Sequence, residues 1–164
     1  MPTERRWGAL GVRAGCAGAQ PHAVKVSAMG ELTALDRLEL HELAARYGNS
    51  IDERDWARFA TVFTEDCRYE LANFGRIDTI IEGRAALCAY MAASKSHPVA
   101  HLVTTVELLV VDGAVTMRSK ILGTLAGGYC GAADYRDIVV QTGAGWRIAD
   151  RVVTLRRPAR PPAE

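Results

Sequence analysis

The chain changes texture midway, and that change restricts its fold more than any other feature. Leu32, Leu35, Leu38, Leu43, Tyr47 and Ile51 recur at roughly helical spacing. From Val99 onward the pattern is extended: VAHLVTTVELLVV, AVTMRSKILGTLA, AADYRDIVVQT and WRIADRVVTL follow one another with only turns between. Asp112–Gly113 is a hairpin signal, and TGAG marks a second turn. Helices first and a run of hairpin-linked strands afterwards predict an α+β fold. A strongly curved antiparallel sheet, with the N-terminal helices over its concave face, leaves a pocket between the layers.

Local signals sharpen this outline. Thr33 with Asp36 three residues later matches a capping box and predicts a first helix over about residues 33 to 51. DWARFATVF predicts a short second helix with Asp55 as its cap and Trp56, Phe59 and Phe63 on one face. CRYEL and TIIE read as short strands around the turn NFGRID, and RAALCAYMAAS as a helix ending before His97–Pro98. In the second long strand, Val115, Met117, Ser119, Ile121 and Leu125 share one side. Thr116, Arg118, Lys120 and Thr124 share the other.

The ends differ from the middle. Residues 1 to 30, rich in Gly, Ala and Arg, read as a disordered extension. Residues 31 to 156 read as the domain, and 157 to 164 as a tail. A length of 164 residues supports one core and is short for two domains. Twenty basic against 19 acidic residues leave a net charge of +1, which supplies no field for nucleic acid or an anionic membrane. No stretch approaches the ~18 apolar residues of a membrane span. Cys16, Cys67, Cys88 and Cys130 form no CxxC pair, so they read as reduced thiols of a cytoplasmic protein. The histidines offer poor metal geometry: His22 lies in the extension, His41 on a helix, and Pro98 forbids a helical His97–His101 pair.

The runs ARYGNSIDERDWARFATVFTEDCRYEL, EGR, HPVAH and GWRIADR, in that order, resemble the SnoaL-like branch of the nuclear transport factor 2-like superfamily. The likeness covers about residues 32 to 156. It implies a cone with a deep pocket and a homodimer or homotrimer. Within the branch the pattern is that of scytalone dehydratase and bile acid dehydratase. The resemblance then makes Asp52 and His101 an acid/base dyad and Tyr47 a third catalytic group. The second catalytic histidine of scytalone dehydratase has no counterpart on the later strands, where Tyr129 and Cys130 stand. A weaker likeness is to ketosteroid isomerase, with Tyr47 and Asp137 in its oxyanion-hole places. There Leu71, with Glu70 beside it, occupies the position of the catalytic base.

The implied chemistry is elimination of water beside a carbonyl, which needs no cofactor and no metal. A base takes the α-proton and an acid protonates the leaving hydroxyl; histidine suits both tasks. A carboxylate on the other ring nitrogen fixes the tautomer, and a tyrosine donates to the carbonyl. Tyr69, Tyr129 and Asp137 complete the expected site as binding residues for a small apolar cyclic molecule.

Plainer readings stand beside these. Asp52 serves equally as a cap of the second helix, Tyr47 and His101 as core, and Asp137 as partner of an arginine across the sheet. Arg84, Arg147 and Arg151 read as structural or surface charges. Five residues separate Tyr47 from Asp52, a rotation of about 140° on a helix, so the two converge only if the helix ends near Ile51. The other functional classes are a non-catalytic ligand binder and the small (beta) subunit of a ring-hydroxylating dioxygenase.

Overall fold

The computed structural model describes residues 31–72, 74, 79–94, 97–125 and 127–156. The expectations for residues 1 to 30, for 157 to 164 and for most of the NFGRID turn lie outside them. Among the described residues nine elements follow in order. They are α1 (Ala34–Asp52), α2 (Trp56–Ala60), β1 (Phe63–Ala72), β2 (Thr79–Glu82), α3 (Arg84–Ala93), β3 (Ala100–Val111), β4 (Ala114–Thr124), β5 (Cys130–Thr142) and β6 (Gly145–Arg156).

Helix α1 starts where its cap demands. The Thr33 hydroxyl accepts from the Asp36 N–H, and the Asp36 carboxylate accepts from the Thr33 N–H at 2.9 Å. Its buried face is Leu40, Leu43, Ala44, Tyr47, Gly48 and Ile51. Leu35 and Leu38 are 63% and 57% exposed, because they fall out of phase with that stripe. Burying each large apolar member contributes about 1.5–3 kcal/mol, which clamps the helix to the sheet.

Helix α2 is shorter than expected. It stops at Ala60, where the Thr61 hydroxyl donates to the Arg58 carbonyl at 2.7 Å, and Phe63 opens β1 instead. Phe63 still meets Phe59, ring centroids 5.2 Å apart, so the aromatic cluster forms across the junction.

The six strands form one sheet in the order β2-β1-β6-β5-β4-β3. It is mixed rather than wholly antiparallel, because β1 and β6 run parallel. The chain crosses from β1 through β2 and α3 to the far edge at β3, then meanders back to β6. A crossover of that length is what parallel pairing requires. The Asp112–Gly113 hairpin is as predicted, with φ of 51° and 77°. Val115, Met117, Ser119 and Ile121 are buried in alternation, while Leu125 lies past the end of β4, 38% exposed. Register shifts at Thr104/Glu107 and Ile138/Val139 bend the long strands into a curved sheet.

Candidate active site

Between the helices and the sheet lies a cavity of about 310 Å³. Tyr47 and Ile51 of α1, Tyr69 of β1, His101 of β3 and Tyr135 of β5 line its inner end. Tyr90, Met91 and His97 line it from the α3 side. Among the described residues, no Asp, Glu, Lys or Arg lines it. A larger groove, about 590 Å³, sits on the other face of the strands among Arg118, Lys120, Asp134, Arg136 and Arg156. Asp134 there pairs with both Lys120 and Arg156, so part of its charge is internally compensated.

The inner end holds a carboxylate–imidazole pair. Asp52 is the last residue of α1, and His101 the second of β3. The Asp52 Oδ1 atom is 2.6 Å from His101 Nδ1, and Oδ2 accepts from the His101 main-chain N–H at 2.8 Å. A carboxylate only accepts, so Nδ1 carries the hydrogen and Nε2 is left as the free ring nitrogen. The His101 side chain is 6% exposed. Helix α1 comes this near to β3 because residue 48 is glycine. A methyl group there lies 3.2 Å from the His101 carbonyl oxygen and 3.3 Å from Val103 Cγ2. The competing role for Asp52 falls to its neighbour: Asp55 caps α2, accepting from the Arg58 N–H at 2.9 Å.

Tyr47 and Asp52 do not converge by a turn of the chain, since α1 stays helical through both. They instead reach His101 from two sides. The Tyr47 ring meets the imidazole edge-on, centroids 6.4 Å apart at 81°. The Tyr47 hydroxyl lies 3.1 Å from that of Tyr69 and 3.3 Å from that of Tyr135. Three hydroxyls share three hydrogens across two contacts, so one O–H remains for a ligand. Burial pushes the Tyr69 and Tyr135 phenols well above their ordinary range, which keeps them protonated donors.

Behind the tyrosines is a buried ion pair. Arg151 Nε and Nη2 donate to the two oxygens of Asp137 at 2.7 and 2.6 Å, from residues facing each other across β5 and β6. Both side chains are sealed, 1% and 0% exposed. The guanidinium stacks over Tyr47 and Tyr135, 4.1 and 4.2 Å from their centroids. Burial pushes the Asp137 carboxyl up against the opposing pull of Arg151. Burial alone lowers Arg151, but the charge of Asp137 more than offsets it and holds the guanidinium protonated.

Two of the expected binding residues therefore stand elsewhere. Asp137 has both oxygens on Arg151 and does not line the cavity, so it lacks the free proton of an isomerase-type donor. Tyr129 is 72% exposed, one residue before β5, and is not among the residues that line the cavity. Tyr69 lines the cavity. Sequence reasoning missed Tyr135 and His97. Alternation along β5 was the available signal for Tyr135, which shares a face with Ala133 and Val139. Among the described residues, no three His, Cys, Asp or Glu side chains gather as a metal site requires.

A family model described as a SnoaL-like domain matches residues 32–152. The chain belongs to this family. No curated protein matches the sequence of this SnoaL-like chain. Solved structures do. One is Rv3472 of Mycobacterium tuberculosis, of unknown function: 28% identity, TM-score 0.64, covering 80% of this chain and 83% of that one. A candidate scytalone dehydratase from Novosphingobium aromaticivorans shares 18% identity at TM-score 0.63, over 75% and 85% of the two chains. A type-2 hexachlorocyclohexane dehydrochlorinase, LinA, shares 18% at TM-score 0.60, over 80% and 100%. At such identities the last two speak for the fold alone. No helix of the described residues is long and apolar enough to cross a membrane.

Proposed function

We propose that this SnoaL-like protein is a cofactor-independent dehydratase that eliminates water from a neutral cyclic hydroxy-ketone. The observation that carries the reading is the 2.6 Å Asp52–His101 contact at the wall of a cavity lined without fixed charge. His101 Nε2 takes the proton from the carbon beside the carbonyl. Asp52 holds the ring in that tautomer and stabilises the imidazolium that forms. The spare O–H of the Tyr47–Tyr69–Tyr135 cluster donates to the carbonyl oxygen as its charge grows. The imidazolium then protonates the departing hydroxyl, and the ring returns to its starting state.

The cavity supports the substrate class. Its volume is about ten times the ~30 Å³ share of a liquid water molecule, room for about 10–15 non-hydrogen atoms. That suits a bicyclic ketone. A direct test uses 3-hydroxy-1-tetralone, whose dehydration product tautomerises to fluorescent 1-naphthol. Turnover by the native chain and its loss in His101→Ala, with the fold intact by circular dichroism, is the expected result. Saturable binding with no naphthol from the native chain overturns the elimination reading and favours a ligand binder.

A further inference from the structure

Among the described residues, His97 lines the cavity with Tyr90 and Ser94, and the mechanism above gives none of the three a task. His97 is the one whose ring stands beside that of His101. Its position is well anchored. Pro98 packs on Gly123, where an added methyl would lie 2.9 Å from the Pro98 ring. The Val99 N–H donates to the Thr124 carbonyl at 2.6 Å. The His97 ring stands 6.5 Å from that of His101 and 6.5 Å from that of Trp56, centroid to centroid.

The hydrogen-bond inventory assigns its atoms. His97 Nε2 is 3.0 Å from the Met91 carbonyl oxygen, near the end of α3. A carbonyl only accepts, so Nε2 carries the hydrogen and Nδ1 carries a lone pair in the neutral ring. Burial lowers the imidazole below its ordinary value, and Arg54 and His101 act in the same direction; the Met91 bond and Asp52 oppose them without prevailing. Nδ1 has no partner among the described residues. It is thus a hydrogen-bond acceptor beside a cavity whose tyrosine cluster offers a donor.

We propose that His97 is a specificity-determining residue, whose Nδ1 accepts a hydrogen bond from a hydroxyl of the bound molecule and so selects hydroxylated ketones over their deoxy counterparts. The inference rests on the substrate class proposed above. It adds a division of labour: the tyrosines read the carbonyl and His97 reads the hydroxyl. That holds the hydroxyl-bearing carbon at a fixed place relative to His101.

The test compares binding of 3-hydroxy-1-tetralone and 1-tetralone, followed by quenching of tryptophan fluorescence, in a His101→Ala background, which lacks the proposed base. The expected preference for the hydroxylated probe is about fivefold or more, the size of one net hydrogen bond. His97→Phe abolishes that preference, whatever its effect on the affinity for both probes together. His97→Asn, which keeps an acceptor near the Nδ1 position, retains most of it. Equal binding of the two probes, or a preference that survives in His97→Phe, overturns the inference. Its fate is separable from that of the dehydratase reading. A His97-dependent preference without turnover in the native chain removes only the latter; turnover without such a preference removes only the former.

Discussion

Replacing Asp52 by Asn tests the geometry most directly, because the two side chains match in shape and differ in what they donate and accept. Asp52 faces two donors, the ring Nδ1–H at 2.6 Å and the His101 main-chain N–H at 2.8 Å. Asn offers one acceptor and one donor. With its oxygen on the ring, its NH2 opposes the main-chain N–H, leaving a part-buried donor unmet at about 1–3 kcal/mol. With its oxygen on the main chain, its NH2 donates to Nδ1, which keeps both bonds. The second orientation is preferred on energy. It forces the ring hydrogen onto Nε2 and removes the lone pair that faces the cavity. The stability loss is then only the gap between a charged and a neutral hydrogen bond, about 1 kcal/mol. For a chain of this length that is a fall of about 2–4 °C in Tm. The loss in turnover is on the order of 10⁴, as when the orienting carboxylate of a catalytic triad is replaced by its amide. Thermal melts and naphthol release measure the two effects. An Asp52→Asn protein that keeps turnover within about threefold of native, at any stability, refutes the tautomer argument.

Three further outcomes follow from the packing. Gly48→Ala gains up to about 1 kcal/mol of helix propensity but overpacks α1 against the His101 carbonyl, costing about 1–3 kcal/mol. Urea unfolding should show a net loss, and naphthol release should fall as the Asp52–His101 bonds lengthen. Asp137→Leu leaves Arg151 buried and uncompensated, a cost of about 3–5 kcal/mol. The double variant Asp137→Leu/Arg151→Met should be more stable than that single variant by the same assay. His97 has a folded value below its ordinary 6.5, so the unfolded chain binds its proton more readily and stability rises with pH through that range. Urea midpoints between about pH 5 and 8 should show this slope, and His97→Asn should flatten it.

What local chemistry controls was legible in advance. The Thr33–Asp36 box, the Asp55 cap, the Asp112–Gly113 hairpin and the α+β order depend on neighbours a few residues apart, and all stand as read. The pairing of Asp52 with His101 was also anticipated, but from a family resemblance, since no local rule joins residues 49 positions apart. Periodicity assigns a face and not a partner. It put Tyr47 on the apolar stripe without showing that its hydroxyl meets those of Tyr69 and Tyr135. Asp137 had two readings, a ligand group by resemblance and the partner of an arginine across the sheet; the facing register of β5 and β6 sets Arg151 against it. Periodicity gave no warning that β1 would pair in parallel with β6, or that Tyr129 would stand outside. Those outcomes depend on strand order, bulges and sheet curvature, which emerge only when the whole chain closes on one cavity.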